Sequence, residues 1–352
     1  MSKVTYLIGA GASYHSIPLV NSLNDKIFSL IKSILSHTFK EEKITDKDLS
    51  LNGNIAELKN KLKTDLDWMQ KELGDNTIDS LAKQLNDLDK RELLKTLKAI
   101  LSAYIVYEHY NTESTELAQA NRYLDPRYVD FFTKISRKED YVRINKNISI
   151  ISWNYDLQFE RIYYKYYPDF DVTELSELLN NYPPLNINYN IDYTKFKLVR
   201  LNGLAGSVID FRQKKFFSLI KNFEIIDLEN SYKIFLKIYS FLNNPSPYQT
   251  SGLRFAFEQN SEWYNPFSIA ENFLPGTETL IIIGYSFPDF NRELDSKLIK
   301  SMRNLKRIYV QDYKSVFNRI KEIIDFETNL QPDMIHLDDF KTFYTTPLDF
   351  KS

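Results

Sequence analysis

The chain has no cysteine among its 352 residues. That absence excludes disulfides, thiolate nucleophiles and zinc sites built on thiolates, and it accords with a reducing cytosol. Glycine is scarce, nine in all, and histidine numbers four. Neither sign of charge dominates, with 45 lysines and arginines against 47 aspartates and glutamates. No overall field therefore draws the chain toward nucleic acid or an anionic membrane. No apolar run approaches the roughly 18 residues of a bilayer crossing, and the first apolar stretch stops at glycine, too short for a signal-peptide core. The expectation is a cytoplasmic protein that binds neither membrane nor, directly, nucleic acid.

What is present is a globular composition, 43% hydrophobic and 26% charged, enough for one large domain or two ordinary ones. Residues 4–13 (VTYLIGAGAS), 148–156 (ISIISWNYD) and 279–289 (TLIIIGYSFPD) read as buried parallel strands, each a short apolar run ended by glycine or small polar residues. KLVRLNG (197–203) and RIYVQDY (307–313) fit the same sheet. Helical stretches between them favour crossover connections. The spacing of Ile55, Leu58, Leu62, Leu66, Met69 and Leu73 predicts a helix ended by Gly74. Further leucine runs follow from Leu81 to Leu101. Tyr163 to Tyr193, rich in Tyr, Asn and Pro, reads as a loop or lid. The expected architecture is α/β: a Rossmann-like, mostly parallel sheet over residues 1–35 plus 145–315. It carries a mixed insertion at about 208–275, a helical insertion over 36–144, and a C-terminal extension, 316–352, packed on the core.

Five of the nine glycines, Gly9, Gly11, Gly203, Gly206 and Gly284, stand at expected strand ends. One shared cleft explains that concentration. Gly9-Ala10-Gly11-Ala12-Ser13 reads as a strand turning into a helix whose N-terminal amides face an anion, or as a purely structural turn. Tyr14 takes the place of the third glycine of the dinucleotide fingerprint. Asn154 and Asp156, two apart, share one face of a strand end. Asn154 suits a ribose hydroxyl or a water, and Asp156 a ribose; alternatively Asp156 caps the next helix and Asn154 satisfies loop backbone. Gly284-Tyr285-Ser286 offers another grip on phosphate or ribose, or Ser286 or Asp289 caps a helix. Of the histidines only His15 lies in a motif, and none has metal-ligand spacing. No metal is expected.

In this order the motifs resemble the sirtuin family. Gly9 to Ser13, with Ile17-Pro18 just after, is similar to the family's first NAD-binding loop. Trp153-Asn154-Tyr155-Asp156 resembles its glutamine-asparagine-x-aspartate segment, and Leu201-Asn202-Gly203 lies where the family has histidine-glycine. Gly284-Tyr285-Ser286 looks like the glycine-x-serine that contacts ribose and phosphates, and Val310-Gln311-Asp312 like the last adenosine-side strand. Ile78-Asp79 and the Gly-Tyr-Ser-Phe form look more like bacterial sirtuin-like domains of anti-phage defence than like protein deacetylases. Without cysteine the chain cannot build the deacylases' zinc module.

The resemblance therefore implies NAD+ as substrate and hydrolysis of its nicotinamide–ribose bond, by an effector that depletes NAD when a partner signals infection. It implies a homo-oligomer, a separate sensor or regulatory subunit, or both. It gives catalytic roles to Asn154, Asp156 and Asn202, and cofactor contacts to Gly9, Ala10, Gly11, Ala12, Ser13, Pro18, Asn154, Asp156, Gly203, Gly284, Tyr285, Ser286, Gln311 and Asp312. The family's histidine is a general base, and Asn202 cannot titrate near neutral pH. Three explanations stand open: a histidine exchanged for asparagine so that NAD is held uncleaved; an NAD- or ADP-ribose-binding sensor or scaffold without catalysis; or slow hydrolysis through positioned water, or with His15 as base.

Overall fold

The computed structural model describes residues 3–18, 20–47, 49, 51–74, 76–110, 124–137, 140–185, 190–224, 226–258, 264–327 and 331–346. The chain forms two compact units. One comprises Met1–Tyr14, Leu124–Gly203 and Ala256–Ser352, the other His15–Tyr123 and Leu204–Phe255.

The first unit is built on seven strands: β1 (Val4–Ile8), β2 (Ile148–Ser152), β3 (Asn181–Tyr182), β4 (Lys197–Arg200), β5 (Thr279–Ile283), β6 (Arg307–Gln311) and β7 (Asp333–Leu337). They lie in the order β7-β6-β5-β1-β2-β4-β3, and every pair is parallel. The central strands β1, β2 and β5 are VTYLI, ISIIS and TLIII, buried along their whole length. Such near-continuous apolar runs belong to strands covered on both faces. Helices Pro126–Ile135, Gln158–Tyr166, Val172–Leu178, Pro266–Glu271, Arg292–Ser301 and Lys314–Glu327 complete the unit. From β1 the chain builds outward through β2 and β4, then returns to β5 on the other side of β1. That reversal is a topological switch point, beyond whose carboxyl ends doubly wound sheets bind ligands. The fold is α/β and Rossmann-like.

The second unit is largely helical, with helices Val20–Ser36, Ile55–Leu73, Ile78–Asp87, Arg91–Tyr110 and Leu228–Asn243. Helix Ile55–Leu73 buries the six apolar residues whose spacing predicts it, and its end is Gly74 at φ 50°. The Asn54 side chain caps its start by accepting from the Ala56 and Glu57 amides. Helix Arg91–Tyr110 packs on Leu228–Asn243, where the Thr96 hydroxyl donates to Asn243 Oδ1 at 3.0 Å. Two small sheets are present: the antiparallel hairpin Lys43–Asp46 with Leu51–Asn54, and a three-stranded sheet ordered Lys215–Ser218, Gly203–Asp210, Gln249–Leu253.

Three sequence expectations are corrected. Residues 15–35 fall in the second unit, while 124–144 and 256–275 fall in the first, so neither insertion has the expected limits. The segment after 316 is more than an extension, because β7 pairs with β6 along Asp333–Leu337. The stretch from Tyr163 to Tyr193 carries the end of helix Gln158–Tyr166, helix Val172–Leu178 and strand β3. Asp171 and Glu174 form a capping box there, a spacing visible in the sequence; residues 186–189 of that stretch lie outside the described residues. No described helix is long and apolar enough to cross a membrane.

Candidate functional site

Because the sheet is parallel, every strand delivers its carboxyl end to one edge. Gly9–Ser13 follows β1, Trp153–Asp156 follows β2, Leu201–Gly203 follows β4, Gly284–Ser286 follows β5, and Asp312 follows Gln311, the last residue of β6. The sequence-selected positions thus gather on one edge of one unit, with three exceptions. Pro18, His15 and Gly206 belong to the second unit.

The Ser13 hydroxyl is the hub of that edge. It donates to Asp156 Oδ2 at 2.6 Å, leaving its two lone pairs for Tyr128 OH at 2.9 Å and Asn154 Nδ2 at 3.1 Å. Burial, with Asp156 beside it, raises the Tyr128 phenol far above its ordinary range, so the phenol stays a donor. Burial also raises the Asp156 carboxyl, against the opposing pull of the Ser13 hydroxyl and the Arg200 charge. Asp156 Oδ1 accepts the Gln158 amide at 3.2 Å, at the start of helix Gln158–Tyr166. Asn154 Nδ2 also donates to the Gly9 carbonyl at 3.0 Å. Asp156 is not the helix cap, since Leu157 holds the N-cap position without a side-chain bond; Asn154 does satisfy loop backbone, and these side chains tie β2's end to β1's.

Ala10–Ser13 is a four-residue 3₁₀ turn, not the start of an α-helix. Its amides do not form an open anion cradle. Gly9 N donates to Ile283 O, Gly11 N to Gly284 O and Ala12 N to Gly9 O, at 2.9–3.1 Å. The glycines serve contact between two loops. A β-carbon on Gly9 would meet Gly284 O at 2.6 Å, and one on Gly284, where φ is +59°, would meet Ala12 N at 2.2 Å. Arg127 holds the same turn, donating to Ala12 O at 2.7 Å from a guanidinium paired with buried Asp125. Its plane lies 4.4 Å from the Tyr14 ring centroid.

Two residues assigned to the ligand have side chains engaged inside the protein. The Tyr285 ring stacks on Trp153 at 5.8 Å, and its hydroxyl donates to Asp295 Oδ2 at 2.7 Å while accepting from Asn291 at 2.9 Å. Trp153 Nε1 donates to the other Asp295 oxygen. The Gln311 amide donates to the Asp339 and Thr342 carbonyls and accepts the Tyr344 amide, tying down the C-terminal segment. Ser286 is exposed, and neither it nor Asp289 caps helix Arg292–Ser301, whose N-cap position is Asn291 without a side-chain bond. Burial raises the Asp312 carboxyl, one oxygen of which accepts the Tyr313 amide at 2.7 Å.

Asn202 differs from these engaged groups. It is 7% exposed, its Nδ2 donates to the Trp153 carbonyl at 3.2 Å, and its Oδ1 has no partner. A buried acceptor left unpaired costs about 1–3 kcal/mol, so the atom calls for a donor. The edge thus offers the Asn202 acceptor after β4 and, after β1 and β2, the buried hydroxyl-carboxyl pair of Ser13 and Asp156. That chemistry suits hydroxyl groups or an ordered water. A pyrophosphate finds no amide cradle at Gly9–Ser13.

Sequence reading missed Asp125, Arg127, Tyr128, Asn291 and Asp295. Asp125-Pro126 did mark a helix start, since Asp125 accepts the Arg127 amide with proline at the first helical position. Its meeting with Ser13 had no local signal. Among the described residues, no group of three or more His, Cys, Asp or Glu is placed to hold a metal ion. The chain matches no protein-family model and no curated protein sequence.

Proposed function

We propose that the carboxyl edge of the first unit binds NAD+ through its nicotinamide ribose and directs water to the sugar carbon, giving nicotinamide and ADP-ribose. The observation that carries this reading is the unpaired, buried Oδ1 of Asn202, just past the carboxyl end of β4. That acceptor suits a ribose hydroxyl or the attacking water. The C1′–nitrogen bond breaks with its electron pair going to the nicotinamide ring, which leaves oxocarbenium character on the sugar. Water oxygen then bonds to C1′, and its proton goes to solvent.

Neither Asn202 nor Asp156 is free to act as base. Asn202 does not titrate, and the Asp156 carboxyl is buried and already receives the Ser13 hydroxyl and the Gln158 amide. General-base catalysis ordinarily supplies about 10²–10⁴-fold, so turnover here is slow by that margin. The effector role in anti-phage defence, and control by self-assembly or a regulatory subunit, rest on the resemblance and belong to the same proposal. A second reading, a sensor or scaffold that binds NAD+ or ADP-ribose without cleaving it, is favoured by one observation, the amide at position 202.

The test is nicotinamide release, measured by chromatography for the wild type and Asn202→His. Hydrolysis predicts slow release that rises by 10²–10⁴-fold in the histidine variant. Thermal stabilisation by NAD+ or ADP-ribose without release in either form selects the sensor. Neither release nor stabilisation at millimolar ligand removes both readings.

A further inference from the structure

The opposite edge of the same sheet holds a polar cavity. It has a volume of about 490 Å³ and sits at the amino ends of β1, β2, β4 and β5, lined among others by Lys3, Lys146, Lys197, Asn147, Ser149 and Phe273. Five strand residues separate this edge from the carboxyl edge, roughly 16 Å at 3.3 Å per residue. The cavity is within the usual 300–1,000 Å³ range of small-molecule sites. It shares no residue with the cleft described above.

Three lysines face this space, and none pairs with a carboxylate among the described residues. The acids close by are already engaged. Asp192 accepts from the Thr194 amide and hydroxyl and pairs with Lys195 at 3.3 Å, and Glu278 pairs with Lys306 at 2.8 Å. Lys197 is the unusual member. It is the first residue of β4, 4% exposed. Its ammonium donates one of three protons, to the Lys195 carbonyl at 2.6 Å, and lies 5.6 Å from the Phe273 ring centroid. A buried ammonium is rarely left without a counter-charge. Here burial, with Lys3 adding its repulsion, lowers the Lys197 pKa to about 8. A dianion in the cavity would supply the missing charge, with the Ser149 hydroxyl and Asn147 beside it.

We propose that this amino-edge cavity is a binding site for a phosphate-bearing small molecule, held by Lys197, Lys3 and Lys146. The site is independent of the carboxyl-edge cleft and stands whether or not NAD+ binds there. Phosphoryl oxygens take ammonium and hydroxyl donors together, and the cavity volume admits a phosphorylated metabolite as well as inorganic pyrophosphate.

Thermal melting of the full chain with inorganic pyrophosphate, citrate and sodium chloride at matched ionic strength tests this. Pyrophosphate at about 100 times its dissociation constant raises the Tm, equivalent to about 2.7 kcal/mol, and chloride does not. Lys146→Gln lowers the apparent affinity at least tenfold, and Lys197→Met abolishes the shift. Lysine-selective NMR of the wild type guards against a folding defect in either variant: the Lys197 titration midpoint moves up from about 8 when pyrophosphate is added. An equal shift with citrate redefines the ligand as any polyanion and overturns the phosphate assignment. Equal shifts with chloride, or an unmoved Lys197 midpoint, overturn the site. Asn202→Ala leaves every one of these readings unchanged, which separates this site from the carboxyl edge.

Discussion

Gly284 and Ala12 are in backbone contact: a β-carbon on Gly284 would stand 2.2 Å from the Ala12 nitrogen, at a φ of +59°. The loops after β5 and β1 thus interlock through bare backbone at the switch point of the sheet. Gly284→Ala meets both a clash and left-handed strain, and should cost on the order of 3 kcal/mol or more. Gly74→Ala is the control. Gly74 also has positive φ but nothing lies within 4 Å of its added carbon, so only backbone strain remains, about 1 kcal/mol. Urea unfolding of both variants checks the contrast, and equal losses would remove the interlock.

Ser13 joins three buried partners through one hydroxyl. Ser13→Ala leaves Asp156, Tyr128 and Asn154 each short of a bond and should destabilise by on the order of 3 kcal/mol. The same variant frees Asn154 Nδ2, so any ligand shift that depends on Asn154 orientation should fall with it. Ser13→Thr, which keeps the hydroxyl, should recover ligand binding more fully than stability. Calorimetry of unfolding alongside ligand titration separates the two effects.

The Asp156 carboxyl gives a pH signature. Its folded pKa is raised by burial above the ordinary 3.8, so the folded state binds more protons between the two values. Stability from this group is therefore full below the unfolded pKa and is lost as pH rises through the folded one. Glu160, also raised chiefly by burial, acts in the same direction. Arg200, Glu160, Ser13, Asn154 and Tyr128 are among the charged and polar groups that act on Asp156. Asp156→Asn removes its share, so the stability gap between wild type and variant should be wider at pH 4 than at pH 7. A gap that widens toward pH 7 would reverse the sign and the assignment.

The positions of the central strands were legible because VTYLI, ISIIS and TLIII are unbroken apolar runs, the pattern that burial on both faces demands. Strand β7 was not, because DMIHL mixes exposed and half-buried residues at the sheet's edge. Gly9, Gly11 and Gly284 do stand at the ends of β1 and β5, and Gly203 follows β4, whereas Gly206 lies within strand Gly203–Asp210 of the second unit. Their use was misjudged because two loops in backbone contact and a loop holding an anion select the same residue. Gln311 is given to the ligand by the resemblance alone, and a strand-end amide serves a ligand or a chain segment equally well. Tyr128 stayed invisible because its partner Ser13 is 115 positions away, and no local period reports such a pairing.

Gln311 makes three bonds to the segment from Asp339 to Tyr344. Gln311→Ala should loosen that segment, raising exchange of the Tyr344 amide by on the order of tenfold per lost bond of about 1 kcal/mol. Hydrogen exchange read by mass spectrometry measures it. Since both amide hydrogens and one lone pair of the carbonyl oxygen are already engaged, the NAD+-induced thermal shift should be unchanged. A lost shift with the segment still protected would restore Gln311 to the ligand.

Arg200 and Glu160 form an ion pair at 2.7 Å with side chains 1% and 0% exposed. Asn181 closes the group, accepting from Arg200 Nη1 at 2.6 Å and donating to Glu160 Oε1 at 2.9 Å. Arg200 ends β4, two residues before Asn202, and its charge also opposes the rise of the Asp156 carboxyl. Removing either partner strands a buried charge, a loss of about 3–5 kcal/mol. Glu160→Leu and Arg200→Leu should each fall in that range, while the double variant should cost clearly less than their sum, because no charge is then left behind. The Arg200 variant should also raise the Asp156 carboxyl further and move its stability loss to higher pH, whereas Glu160→Leu, which removes a like charge, should move it down. A double-mutant cycle run at pH 5 and pH 7 reads both effects, and additive losses at both pH values would show the pair to be uncoupled.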